Sequence, residues 1–394
     1  MGRKELKRPM IPDYIRSSDP DSFGHYTICS RFPRIIDDII DNNKLPAIQH
    51  RLKALGGVLA DLKIKKLTPQ KNTDFELFNT SIEPFLNQSI FDAPFFTAEM
   101  FFYQLLAHEL DYYTNGHDYF STLKQKSLAD AIRFITGKPD FLFPENWDAA
   151  TAHAMAQSLR FALWGNLADL SLFTLSKSRQ ETSFSEERLL IDHSKEFTSF
   201  FQSYKGTVHI FLDNAGYELV SDLYLMAVLL SNPHCKIRAH VKPMPMFVSD
   251  VTRNDWQLTL ASIGDLSEAP IRNWYSILGS ALADHRISLT TDHFWSSAYY
   301  FSDYWLNRLD INANELIVCK GDLNYRRFFE DRTWPNTTPT EAAVTTSMAP
   351  ILFLRTLKSE MMTGLSPSTI QQLHITEPDW MISGNYGIIQ FLKK

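Results

Sequence analysis

The 394-residue chain has few of the features that mark special protein classes. Its 15 glycines are too few for a collagen-like chain. Its apolar runs are much shorter than the roughly 20 residues that a membrane helix requires. Thirty-nine Lys and Arg residues against 45 Asp and Glu residues give a net charge of −6, without the basic excess of a general nucleic-acid-binding protein. We therefore expect neither a membrane nor a nucleic acid as partner.

Cysteine is also scarce, with three residues that lie far apart in the sequence. Cys29, Cys235 and Cys319 are odd in number, and none of them lies at the spacing of a pair of zinc ligands. The first residues include no apolar stretch of the kind that a secretory signal contains. We expect reduced thiols and a cytoplasmic protein, and we leave access to the nucleus and the oligomeric state open.

The sequence motifs of several well-known enzyme classes are absent as well. No G-x-x-x-x-G-K-[ST], G-x-G-x-x-G or G-x-S-x-G occurs, so P-loop, dinucleotide-binding and serine-hydrolase functions lose their main support. His108-Glu109 is not followed by the second histidine of the zinc-protease motif. The twelve histidines are dispersed, and we expect them on the surface or in the core.

The pattern of apolar residues divides the chain into two halves. Before residue 195 they recur at helical spacing, as at Ile35, Ile36, Ile39 and Ile40. After residue 200, short β-type runs alternate with helical segments. These runs are 208–213, 236–243, 315–322, 351–358 and 387–392. We predict a helical bundle over 1–195 and a Rossmann-like α/β catalytic domain over 196–394, with a doubly wound, mostly parallel sheet flanked by helices.

Polar residues follow three of the predicted strands at the point where each strand ends. Asp213-Asn214 end the first strand, Gly321-Asp322 follow a later one, and Arg355 to Lys358 follow the next. The carboxyl ends of parallel strands form the edge where open α/β sheets bind ligands. Carboxylate and amide oxygens suit Mg²⁺ or Mn²⁺, and Lys or Arg suits phosphate. The alternative is that these residues are simply solvated, as loop residues often are.

Four ordered motifs of the second half resemble the metal-dependent damage-control phosphatase family. They read FLDNAGYELVSDL (211–223), KPMPMFVSDVT (242–252), KGDLNYRR (320–327) with DRTWPNTTP (331–339), and LRTLK (354–358). The last motif is similar to the R-T-x-K branch of the family. The helical half also resembles that branch, in SFGHYTICSRFPRII (22–36) and LWGNLADLSL (163–172). The resemblance covers nearly the whole chain.

The resemblance implies a set of site residues at matching positions. It implies a metal held by Asp213, Asn214 and Asp250, and catalytic roles for Asp213 and Glu218. Besides Asp213 and Asn214, the residues that it implies for substrate binding are Asp322, Leu323, Asn324, Tyr325, Arg326 and Lys358. The sequence leaves open whether Asp213 is a base or a nucleophile and whether water is activated by the metal.

Simpler interpretations of these residues exist. Asp213 and Asn214 are residue types that cap helices, and Glu218 is favoured by the first-turn helix dipole. Asp250 and Lys358 have the alternative roles of a turn residue and an ordinary strand-end lysine. These alternatives stay open at the level of sequence.

The activity implied by the resemblance is hydrolysis of sugar phosphates such as fructose 1-phosphate, with Mn²⁺, Co²⁺, Ni²⁺ or Mg²⁺ as cofactor and a small phosphorylated metabolite as partner. The same branch has been associated with S-adenosylmethionine-dependent methylation of protein glutamate carboxylates, which is the alternative function. The segment DNAGYE has a single glycine, Gly216, where a methyl donor usually needs a glycine-rich loop. A second alternative is a ligand-binding protein without catalysis.

Overall fold

The computed structural model describes residues 10–42, 45–69, 75–137, 151–165, 186–344 and 349–393. Residues 166–172 of the motif LWGNLADLSL lie outside this part of the chain. The helices before residue 200 and just after it are α1 (Phe23–Tyr26), α2 (Phe32–Asn42), α3 (Pro46–Gly57), α4 (Glu76–Ser81), α5 (Phe95–Glu109), α6 (Tyr112–Asn115), α7 (Ser121–Gly137), α8 (Ala152–Trp164) and α9 (Ser194–Phe201). The later helices are α10 (Tyr217–Leu230), α11 (Arg253–Gly264), α12 (Ala269–Ala283), α13 (Phe301–Arg308), α14 (Gly321–Phe328), α15 (Thr340–Ala343) and α16 (Pro367–Thr376).

One sheet organises the second half of the chain. Its strands are β1 (Leu189–Asp192), β2 (Gly206–Phe211), β3 (Cys235–Val241), β4 (Ile287–Thr291), β5 (Leu316–Lys320), β6 (Ile351–Thr356) and β7 (Gly387–Leu392). They lie in the order β1-β7-β6-β5-β2-β3-β4, and every neighbouring pair is parallel except β6 and β7. The predicted fold class, a mostly parallel, doubly wound sheet, is therefore confirmed.

Both faces of the sheet are buried because apolar side chains occupy successive positions of the central strands. In β5, Leu316 and Val318 join a core on one face, whereas Ile317 and Cys319 join a core on the other. A continuous apolar run of this kind is typical of a parallel strand covered by helices on both sides. All three cysteines are free thiols, as expected.

The core that contains Leu316 and Val318 also includes side chains from α7 and α8, such as Leu128 and Leu159. Strand β1, which pairs with β7, likewise precedes residue 196. The division at 195/196 stays a prediction about how the sequence is organised.

A third core lies among the N-terminal helices and centres on α5. Thirteen of the fifteen residues of α5 are buried, from Phe95 to Ala107. In α2, Ile36 and Ile39 are buried while Ile35 and Ile40 are partly covered, so the predicted apolar face does point inward. No helix of the described segments has both the length and the apolar character needed to cross a membrane.

The order of strands reverses between β5 and β2. From β2 the chain proceeds through β3 to β4 on one side, and from β5 to β6 on the other. A crevice forms outside the carboxyl ends of the strands at such a switch point. Residues 212–214 and 321–322 follow these two strands, so the fold brings two of the predicted motifs together.

Candidate active site

Asp213, Asn214 and Asp250 meet at the carboxyl end of β2. Asn214 and Asp250 form an isolated antiparallel bridge, in which the Val251 amide donates to the Asp213 carbonyl at 2.9 Å. The segment before Asp250 is strained, since Val248 has a φ of +68° although its side chain is β-branched. The turn thereby places Asp250, which belongs to the separate motif 242–252, at the end of β2. Such strain is typical of functional sites.

The Asn214 side chain connects two acids. Its Nδ2 donates to Asp213 Oδ2 and to Glu218 Oε2, both at 2.8 Å, and its Oδ1 accepts from Ser249 Oγ at 2.6 Å. Helix α10 begins after Gly216 without a side-chain cap. Helix capping therefore does not account for Asp213 and Asn214, whereas a shared acidic site does.

The residue that follows β5, Gly321, packs against the Asp213 side chain. Gly321 has a φ of +80°, and a Cβ atom at this position would overlap Asp213 Oδ2. The residue is a glycine because both the backbone conformation and the close approach of Asp213 require one. The segment that follows, which contains residues expected to bind substrate, is the helix α14.

Burial and repulsion by neighbouring acids raise the pKa values of Asp213 and Asp250. Burial, followed by the charges of Glu218 and Asp250, raises the pKa of Asp213 well above its ordinary value, although Lys242 and Lys358 oppose this. Burial raises the pKa of Asp250 to about 6, against the effect of Lys242. Acids in this arrangement favour any bound cation that relieves their repulsion.

Two lysines oppose the negative charge of the cluster. Lys242, which is buried, donates from Nζ to the Leu212 carbonyl and to Asn324 Oδ1, both at 3.3 Å, and lies 5.2 Å from the centre of the Trp295 ring. Lys358 is half-buried, and its ammonium has no ion-pair partner among the described residues. Lys242 is thus fixed within the structure, whereas Lys358 is partly exposed beside the cluster.

The residues fit a divalent cation with a preference for oxygen. Asp250 Oδ2 is buried, and no described residue hydrogen-bonds to it. Asn214 Oδ1 accepts a hydrogen bond from Ser249 Oγ, and the second lone pair of this oxygen is available to a cation while Nδ2 stays on Glu218. Two carboxylates and one amide form a donor set for a hard cation. No group of three His, Cys, Asp or Glu side chains suited to a metal occurs within the described residues, so the amide is a necessary part of this set.

Asp322 organises the R-T-x-K segment. Its Oδ1 accepts from Arg355 Nε at 2.8 Å and from the Lys358 backbone amide and Ser359 Oγ, both at 3.1 Å. Burial opposes ionisation of Asp322, but Arg355, Arg326 and the hydrogen bonds from Lys358 and Ser359 together outweigh it and lower the pKa of Asp322. The carboxylate therefore fixes the turn from which the Lys358 side chain extends.

Three other residues of α14 pack into the protein. Asn324 is fully buried, and its Nδ2 donates to the Lys320 carbonyl at 2.8 Å, beneath the end of β2. The Tyr325 hydroxyl lies 3.1 Å from Thr363 Oγ1, and Leu323 joins the core of the N-terminal helices. All three side chains are buried, and their expected contact with substrate stays a prediction.

Arg326 lies within a buried ionic network. Its guanidinium donates to both oxygens of Asp331, at 2.7 and 2.8 Å, and to Glu99 Oε2 at 2.6 Å. The Arg326 residue is 3% exposed. The structure does not place Arg326 beside the acids at the end of β2, and its expected contact with substrate stays a prediction.

Sequence reasoning missed the buried charges around the acids. Lys242 and Lys320 are the first residues of two of the family motifs, and this position is the one signal that the sequence offers. Asp222 follows Glu218 by one helical turn, so the two carboxylates share a face of α10. Charged residues are almost never fully buried unless paired, so a sequence alone gives little reason to expect them inside.

The fold and the site describe a doubly wound α/β protein with an acidic cluster at the carboxyl edge of its sheet. A family model described as the damage-control phosphatase ARMT1-like domain matches residues 27–373. The chain therefore belongs to the damage-control phosphatase family, and the resemblance found in its sequence is confirmed. Membership of this family makes the protein a phosphatase, an enzyme of the hydrolase class.

Relatives from vertebrates match along almost their entire length. Damage-control phosphatase ARMT1 of Xenopus tropicalis is 28% identical over 428 residues, which cover 94% of this chain and 96% of that protein. The protein of the same name from Homo sapiens is 27% identical over 440 residues, which cover 97% and 99%. A crystal structure of a DUF89 family protein from Pyrococcus horikoshii covers 94% of this chain and 98% of that chain, with 16% identity and a TM-score of 0.49.

Proposed function

We propose that the protein is a divalent-metal-dependent phosphatase of sugar phosphates and related phosphometabolites, fructose 1-phosphate among them. The observation that carries the proposal is the buried acidic cluster at the end of β2, opposite a lysine that has no ion-pair partner among the described residues. Acids that repel one another favour a cation, and a nearby ammonium favours the phosphate that the cation would share.

The cation site would consist of Asp213, Asn214 and Asp250. A divalent cation at such a site neutralises phosphate oxygens and activates water for attack on phosphorus. Mn²⁺, Co²⁺, Ni²⁺ and Mg²⁺ all accept this oxygen-rich donor set, and the proposal leaves the native ion among them.

The remaining residues would bind and orient the substrate. Lys358 would hold the non-bridging phosphate oxygens as charge develops on them, in the position that Asp322 fixes. Asp213 and Glu218 are the residues to which we assign proton transfer or nucleophilic attack. A cytoplasmic location remains a prediction.

The test is phosphate release from a panel of sugar phosphates by chelator-treated protein, with and without each of the four ions. We expect release that depends on the ion. Asp213→Asn and Asp250→Asn should each reduce kcat by more than the roughly 10- to 100-fold that residues outside the coordination shell cost. Asp37→Asn, on the exposed face of α2, is the matched control and should retain full activity.

Two outcomes would contradict the proposal. Release that persists in the Asp213→Asn variant would place catalysis elsewhere in the chain. Absence of release with any ion, from folded protein that binds the ion in calorimetry, would reject a sugar phosphatase. Calorimetric binding of S-adenosylmethionine would then favour the methyltransferase alternative, and its absence would favour a ligand-binding protein without catalysis.

A further inference from the structure

A buried lysine stands directly before Gly321, on the side of the acidic cluster that faces α10. Lys320 is the last residue of β5 and is fully buried. Its Nζ lies 3.3 Å from Glu218 Oε1 and 3.0 Å from Asp222 Oδ1, and it also donates to the carbonyl of Ala162. The ammonium is therefore fixed by α8 and by two acids of α10.

Asp222 anchors this lysine, and no hydrogen bond or ion pair joins it to Asp213, Asn214 or Asp250 among the described contacts. It lies one helical turn after Glu218 and is 1% exposed, and Lys320 is the cation paired with it among the described residues. Burial lowers the pKa of Lys320, but Asp222 and Glu218 outweigh it and raise the pKa above its ordinary value. The lysine is therefore positively charged.

The two oxygens of Glu218 have different partners. Oε1 faces the Lys320 ammonium at 3.3 Å, and Oε2 accepts from Asn214 Nδ2 at 2.8 Å. Both oxygens of Glu218 thus have a partner. A carboxylate held in this way is directed to a ligand of the cation rather than to the cation itself.

Stability alone gives little reason to keep such a pair. Replacing a buried ion pair by apolar residues of similar volume is often neutral or stabilising, because two charges must be removed from water. The position of Lys320 and Asp222 beside Glu218 indicates a role in the site.

We propose that Lys320, anchored by Asp222, is a positioning residue that holds Glu218 outside the coordination shell of the cation and on Asn214. The inference rests on the proposed function, since it assumes the cation site of Asp213, Asn214 and Asp250. It adds a residue pair that acts through Glu218 and touches neither cation nor substrate.

The first test needs no turnover. Cobalt(II) is added to the wild type and to the double variant Lys320→Met/Asp222→Asn, which removes the lysine together with the carboxylate that pairs with it. We expect the visible absorption band of cobalt to change in the variant, because the released Glu218 joins the coordination shell. Adding Glu218→Gln to the variant should return the band to its wild-type form.

The second test measures kinetics. In the double variant kcat should fall by about 10- to 100-fold, as for other residues that orient a site from outside the shell. KM and the calorimetric Kd for cobalt should stay within about threefold of the wild type. In a Glu218→Gln background the same double substitution should lower kcat by less than about threefold, because the effects of residues that act through one another are not additive.

Three results would overturn the proposal. The first is a cobalt band of the double variant identical to that of the wild type. The second is a wild-type kcat in the double variant. The third is a further loss of kcat of about 10- to 100-fold when the double substitution is made in the Glu218→Gln background. If the double variant does not fold, Asp222→Asn alone must change the cobalt absorption band and lower kcat. A wild type that binds cobalt but releases no phosphate would reject the proposed function, while the cobalt bands would still decide the position of Glu218.

Discussion

At the scale of the residue, Gly321 sets the geometry of the site by having no side chain. We expect Gly321→Ala to displace Asp213, because a Cβ atom would overlap its Oδ2 and the φ of +80° disfavours alanine. The variant should bind cobalt at least about tenfold more weakly in calorimetry and melt at a lower temperature.

Gly279→Ala is the matched control for this substitution. Gly279 lies inside α12, and a Cβ atom added there would have no neighbour within 4 Å, so alanine meets no obstacle. Alanine is also the better helix former by about 0.5–1 kcal/mol. This variant should keep its cobalt affinity and melt at the same or a higher temperature, and a loss of affinity in both variants would contradict the steric argument.

The acids of the site are predictable from the sequence, but their surroundings are not. Asp213, Asn214 and Asp250 belong to motifs at strand ends, and parallel strands bring such ends together. Lys320 belongs to a motif as well, yet its burial between Glu218 and Asp222 depends on how α10 packs on β5. Packing between distant segments is not encoded in the spacing of residues along one segment.

At the scale of the element, Asp331 joins α14 to the start of α5. It is fully buried, binds the Arg326 guanidinium through both oxygens and accepts from the Phe96 backbone amide at 3.1 Å. We expect Asp331→Asn to lower the free energy of unfolding by about 3 kcal/mol, because the buried Arg326 guanidinium loses its two-oxygen charged partner and keeps only Glu99. Urea denaturation followed by circular dichroism measures this loss.

Asp284→Asn serves as the comparison, since Asp284 is exposed at the end of α12. Surface substitutions of this kind usually change stability by less than about 0.5 kcal/mol. Equal urea midpoints for the two variants would mean that the network of Arg326 does not hold α14 and α5 together.

The strands show where prediction from sequence ends. The runs in β2, β3, β5, β6 and β7 are recognisable because they are rich in apolar residues. The sequence pattern misses β1 and β4, since they are short and only partly buried at the two edges of the sheet. The direction of β7 is also not predictable, because an apolar run reads the same whether its neighbour is parallel or antiparallel.

At the scale of the whole molecule, two buried histidines affect stability against acid. His209 Nδ1 lies 3.0 Å from His240 Nε2, a pairing that the dispersed sequence positions do not suggest. Burial lowers the pKa of His209 to about 4, although Glu315 opposes this, and burial together with His209 lowers the pKa of His240. Both rings are therefore neutral in the folded protein at neutral pH.

The sign of the pH dependence follows from these lowered values. Between about pH 6.5 and 4 the unfolded chain binds a proton at His209 that the folded chain does not, so stability falls as the pH falls. Asp250, with its raised pKa, contributes in the opposite direction. The wild type should lose about 2 kcal/mol more than His209→Gln between about pH 7 and 5, as measured by urea denaturation.

His50→Gln is the control, since His50 is exposed on α3. It should show the pH dependence of the wild type. A His209→Gln variant that follows the same curve as the wild type would mean that the buried pair takes no part in acid unfolding.

The antiparallel strand β7 also has a consequence for synthesis of the chain. It lies between β6 and β1, so β1 has no partner in the sheet until β7 has been made. His193 and Phe391, which hydrogen-bond beside these strands, are 198 positions apart. At ribosomal rates of about 5–20 residues per second, Phe391 is synthesised on the order of 10–40 s after His193. During that interval β1 is an unpaired strand on the nascent chain, and chaperones that bind such segments have time to reach it.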